Sequence, residues 1–141
     1  MTLLFITQKV DKEDALLGIY HLWLEKLAAK FEKIEVICLG KGRVELPPNV
    51  SVHSLGKEQR AKSKWQIALK IRYAFRFVLY TIHLRPDAVF VHMNQEYVLL
   101  GGLYWRLCGI PIYFWRNHPE GNWLTRVACG FSRKVFFTSP F

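Results

Sequence analysis

The stretch RPDAVFVHMNQEYVLLGGLYWRLCGIPIYFWR, residues 85–116, decides the fold. The Arg85-Pro86 step ends whatever helix precedes it, because a residue before proline is driven out of the helical region. AVFVH (Ala88–His92) follows, apolar throughout rather than alternating, as expected of a strand buried on both faces. Tyr97–Cys108 has helical spacing and is closed by Gly109 and Pro111, after which IYFW (Ile112–Trp115) repeats the strand pattern. Two such strands joined by a helix form a parallel crossover unit.

The same alternation extends outward. LLFIT (Leu3–Thr7) reads as a strand, and Leu16, Ile19, Tyr20, Trp23, Leu24, Leu27 and Phe31 then recur at helical spacing. IEVICL (Ile34–Leu39) is a second strand, and Gly40, Gly42, Pro47 and Pro48 mark the loop before a short strand at Val50–Leu55. A long helix is predicted from Ala61 to Leu84. Downstream, Asn122–Phe131 reads as a helix and VFFT (Val135–Thr138) as the last strand. The expected fold class is α/β: a doubly wound, Rossmann-like parallel sheet with helices on both faces.

In such sheets ligands bind beyond the carboxyl ends of the strands, where strand order reverses. The segments to inspect are therefore Gln8–Gly18, His92–Glu96, Arg116–Gly121 and Ser139–Phe141. The first has no GxGxxG, which disfavours a nicotinamide or flavin site. Gly18 lies near a helix start and suits close approach of a phosphate or of backbone. His92 and His118 each follow a strand and are expected to face one crevice, where imidazoles bond hydroxyls or exchange protons near neutral pH. Arg116, Asn117 and Glu120 around His118, with Asn94 and Glu96 beside His92, give the polar rim of a pocket.

Composition narrows the function classes. The 141 residues are 51% apolar and 22% charged, the make-up of one globular domain. Cys38, Cys108 and Cys129 stand apart in apolar segments with no CxxC pair, so they read as small buried hydrophobes and neither a zinc site nor a disulfide framework is expected. The opening MTLLFITQKVDKED lacks a basic n-region and a cleavage site, so the cytosol is the expected compartment. The longest uncharged stretches run nine residues, too short to span a bilayer.

The net charge of +9 is uneven, with seven bases and seven acids in residues 1–50, eight and three in 51–100, and five and one in 101–141. Such asymmetry favours an anionic partner. The long helix concentrates it: Ile67, Ile71, Ala74, Phe75, Val78, Leu79 and Ile82 form a stripe expected to dock on the sheet. The opposite side interleaves Lys62, Arg72 and Arg76 with Trp65, Tyr73 and Tyr80, and is expected to meet an anionic membrane surface or a partner protein. Nucleic acid is not expected, because no recognition signature accompanies the charge.

The opening strand with its acidic loop and Gly18, RPDAVFVHMN, GIPIYFWRNHPEG and the terminal RKVFFTSPF together resemble the N-terminal, acceptor-side domain of the retaining family-four glycosyltransferases of the GT-B fold. The resemblance covers essentially residues 1–141 and implies one half of a GT-B architecture, with the C-terminal donor-binding domain absent. It implies retaining transfer of a sugar from a nucleotide-sugar, with no metal or other cofactor, to a lipid-linked or saccharide acceptor. His118 would be catalytic, contacting the transferred sugar or the acceptor hydroxyl. His92 and Gly18 would line the acceptor pocket with Asn117 at its rim, and Arg116 would pair with an acceptor phosphate. The family's Gly-Gly pair in the first loop is here Leu17-Gly18.

Alone, such a half is not expected to transfer sugar; a second domain or partner subunit would supply the donor site. The expected setting is cytoplasmic, peripheral on the inner face of the membrane. A membrane-anchoring, non-catalytic subunit of a split transferase is the alternative, and a basic nucleic-acid-binding α/β domain a more distant one.

Overall fold

The computed structural model describes residues 1–56 and 65–138. In chain order the elements are β1 (Thr2–Val10), α1 (Gly18–Ala28), β2 (Lys33–Lys41), β3 (Val50–Ser54), α2 (Trp65–Leu84), β4 (Ala88–His92), α3 (Gln95–Leu107), β5 (Ile112–Arg116), α4 (Trp123–Phe131) and β6 (Lys134–Phe137). The strands form one parallel sheet in the order β3-β2-β1-β4-β5-β6. Strand order therefore reverses between β1 and β4, and the crevice expected of a doubly wound sheet opens there.

The central strands β1, β2 and β4 are largely buried on both faces, which is why they read as unbroken apolar runs, whereas β3 and β6 at the edges are at most half-buried. On one face α1 places Leu24 and Ala28 over Leu3, Phe5, Ile34 and Val36. On the other, α2, α3 and α4 bring Phe77, Tyr97, Trp105 and Ala128 onto Leu4, Ile6, Val89 and Phe114. Helix α3 ends in a left-handed turn at Gly109 (φ 71°), where the Ile110 amide returns to the Trp105 carbonyl at 2.8 Å. Of the cysteines, Cys38 is buried, Cys129 is half-buried, and Cys108, contrary to expectation, is exposed because it caps the end of α3 on the solvent side.

Helix α2 is rotated from its expected setting. Most of the stripe meant for the sheet faces out, with Ile71 63%, Phe75 64%, Leu79 50% and Ile82 44% exposed, while Val78 packs against the core and the side chain of Ile67 lies outside the described residues. Phe77 is instead fully buried, its ring 4.9 Å from that of Tyr97 and 6.1 Å from that of Trp105. Tyr73 and Tyr80, expected at a membrane, pack against the same core, and Arg76 donates to the Leu55 carbonyl at 3.2 Å. The physical reason is ring area: the Tyr73, Phe77, Tyr80, Leu84 side buries large rings against aromatic partners, and one arginine finds a carbonyl, so the cations there do not force the face into water. Of the residues expected at a membrane, Arg72 is exposed, while Lys62 and the side chain of Trp65 lie outside the described residues.

Candidate functional site

The β1–α1 loop is built by its acids. Lys9 reaches both Asp11 (2.8 Å) and Asp14 (2.7 Å). The Asp14 carboxylate also accepts from the amides of Leu16 (3.0 Å) and Leu17 (2.8 Å). The Lys9 hydrogen bond and then these amides hold its carboxyl down at about 2. Gly18 packs closely on backbone: a Cβ there would meet the Lys12 carbonyl oxygen at 3.3 Å. At the start of α1 stand the chain's own loop and the Asp14 carboxylate, itself paired with Lys9.

Across the switch point, Gln8 donates to the Asn94 side-chain oxygen at 2.9 Å, tying the loop after β1 to the loop after β4. Met93, between His92 and Asn94, has φ 66°, a conformation that costs free energy and tends to occur at functional turns. His92 itself is 1% exposed. Its Nδ1 lies 3.4 Å from the Thr7 hydroxyl, and its buried Nε2 has no hydrogen-bond partner among the described residues. Burial pushes the imidazole down to about 4, so it is neutral at physiological pH. The ring of Tyr20 lies over it, centroids 4.0 Å apart. His92 thus sits beneath the crevice floor rather than on its surface.

Above that floor opens a cleft of about 610 Å³ lined by Ile19, Tyr20, Trp23, Trp115, Asn117, His118 and Thr138. Trp23 and Trp115 meet edge to face at 5.1 Å. Trp115 is fixed by its indole N–H, which donates to the Thr138 hydroxyl at 3.0 Å, and that hydroxyl lies 3.2 Å from the Asn117 side-chain oxygen. His118 is exposed at the rim. The walls thus offer flat apolar rings, and the rim offers an amide, a hydroxyl and an imidazole within one opening.

The structure therefore brings His118 and Asn117 together in the lining of one cleft, places His92 one layer below, and leaves Gly18 and Arg116 outside that lining. Arg116 is absent from the lining because its guanidinium braces the following loop, donating to the carbonyls of Glu120 (2.6 Å) and Pro119 (3.4 Å). That geometry holds the guanidinium on its own loop. Tyr20, Trp23, Trp115 and Thr138 were not singled out from the sequence. Their signal was position, since two open α1 at the switch point and two follow or end strands, but large rings in such segments read as core. Among the described residues no cluster of His, Cys, Asp or Glu could hold a metal ion, and no helix is long and apolar enough to cross a membrane.

No protein-family model matches the sequence, and no curated protein matches it. Solved structures do. MurG of Acinetobacter baumannii superposes with a TM-score of 0.59 at 14% identity over 99% of this chain and 41% of its own. The lipopolysaccharide outer core galactosyltransferase WaaB gives 0.60 at 10% identity over 96% of this chain and 38% of its own. The UDP-GlcNAc 2-epimerase of Methanocaldococcus jannaschii gives 0.55 at 13% identity over 99% and 40%. The chain thus spans about two-fifths of the length of the structures it matches. Its six-stranded parallel sheet has the fold of one domain of the GT-B architecture, in which these proteins are built.

Proposed function

We propose that this chain is the acceptor-side half of a glycosyltransferase that moves a sugar, with retention, from a nucleotide-sugar to a lipid-linked or saccharide acceptor at the cytoplasmic face of a membrane. The donor site belongs to a second domain or a partner subunit. The observation that carries this reading is the cleft itself: Tyr20, Trp23 and Trp115 wall a space at the carboxyl ends of β4 and β5, with Asn117, His118 and Thr138 at its rim. Aromatic faces suit the apolar face of a sugar ring, and the polar rim suits its hydroxyls. His118 contacts the reacting acceptor hydroxyl, and neutral His92 supports the floor under Tyr20.

The test is sugar transfer from labelled nucleotide-sugars to membrane and saccharide acceptors, in extracts of source cells that carry or lack the chain. Transfer that depends on the chain, and that falls at least tenfold with His118→Ala, supports the reading. Transfer that is independent of the chain overturns it. Dependence on the chain with no effect of His118→Ala removes His118 from the site and favours the anchoring subunit.

A further inference from the structure

The helix layer opposite α1 is apolar on its outside as well as its inside. Ile71, Phe75 and Leu79 on α2, Leu103 (60% exposed) and Leu107 (79%) on α3, and Trp123 (70%) on α4 all project from it. Helix α3 packs between α2 and α4, which brings these side chains onto one surface. A helix apolar on both sides belongs in a core or at a membrane, not in water.

Charge says what covers this layer. The α2 sequence WQIALKIRYAFRFVLYTIHL carries no carboxylate, α4 carries none, and α3 has only Glu96 in its first turn. Lys70, Arg72, Arg106 and Arg126 are exposed on these helices. At the far end of α3 a cleft of about 270 Å³ is bordered by Arg106 and Arg133, with Gly109 to Ile112, Phe131 and Ser132. Arg106 donates one N–H to the Gly130 carbonyl at 2.6 Å, and neither arginine is paired with a carboxylate among the described residues. A second copy of this chain would bring cations against cations in a symmetric contact. A bilayer with anionic headgroups accepts both the apolar side chains and the cations.

We propose that the outer surface of α2–α4 is the membrane-docking face, lying flat on an anionic bilayer with a lipid phosphate seated in the Arg106–Arg133 cleft. This rests on the membrane part of the functional reading above, and it assigns docking to the side of α2 opposite to Tyr73, Arg76 and Tyr80. The bidentate fork of arginine matches a phosphate, and the adjoining leucines match acyl chains.

The experiment is co-sedimentation of the full chain with vesicles of phosphatidylcholine alone or mixed with phosphatidylglycerol, at low and high salt. Four proteins are compared: wild type, Phe75→Ser/Leu79→Ser, Arg106→Gln/Arg133→Gln, and the charge-matched control Lys26→Gln/Lys30→Gln on α1 and the turn that follows it. Selective binding to the anionic vesicles, reduced on the order of tenfold in each of the first two variants and little changed in the control, is the expected result. Absence of vesicle binding by wild type overturns the proposal. So does equal loss in the control, which would indicate net charge alone, and so does concentration-dependent self-association abolished by Phe75→Ser/Leu79→Ser. His118→Ala leaves vesicle binding intact if the proposal holds, so the docking face and the transfer site fail separately.

Discussion

His92 is held neutral beneath Tyr20, and this has a thermodynamic consequence. Its imidazole titrates near 6.5 when unfolded and at about 4 when folded, so between those values the unfolded chain binds more protons. Stability therefore rises with pH across that window and is lost as pH falls through it. Urea midpoints measured from pH 7 to pH 4 should fall for wild type and fall less for His92→Phe, which keeps a ring and removes the titration. Below that range the loss passes to Asp14, whose carboxyl is already held at about 2 by Lys9 and the loop amides. The sequence showed His118, Asn117 and His92 at strand ends, and the first two do share the cleft. It did not show that a ring four residues from Leu16 would roof His92, because the order of layers above a strand end depends on how α1 is rotated. Nor did it show the course of Arg116, whose partners are carbonyls of its own loop and leave no trace in residue type.

At the scale of elements, β4 was legible to the residue, because Pro86 precedes it and its apolar run stops at a polar loop. The start of α1 was not: Asp14 draws the amides of Leu16 and Leu17 onto its side chain, so regular helix begins only at Gly18. Helix α2 was legible as a helix but not in its rotation, since each side offers an apolar stripe and periodicity alone does not rank them. Two substitutions separate the settings. Phe77→Ala should cost about 3–5 kcal/mol as a buried aromatic deletion. Phe75→Ala should stay within about 0.5 kcal/mol. Equal costs in urea unfolding would contradict the rotation described here. A second element-level expectation concerns the α3–α4 contact, where a Cβ on Gly102 would meet the Phe131 ring at 2.9 Å. Gly102→Ala should therefore destabilise by about 1–3 kcal/mol of overpacking, against its favourable helix propensity of about 1 kcal/mol.

For the whole molecule, the sheet gives two unlike surfaces. One face carries α1 and the charge-balanced loops of the first fifty residues; the other carries three helices rich in cations and nearly free of carboxylates. The charge division along the chain thus becomes a division in space, since residues after position 50 supply all of α2–α4. The aromatic cleft opens at the rim between the two surfaces. Under the docking proposed above, a bilayer on the helix layer would leave that cleft open.

Strand order also bears on how the chain is made. β1 pairs with β2 on one side and with β4 on the other, and β4 begins only at Ala88. During synthesis the first three strands can assemble while one edge of β1, with Leu4, Phe5 and Ile6 behind it, waits unpaired for more than half of the chain. An open, apolar, parallel edge is a template for association with other chains. A nascent chain ending at Leu84, carried on a linker long enough to clear the ribosome exit tunnel, should therefore recruit chaperones more strongly than one ending at Thr138 on the same linker.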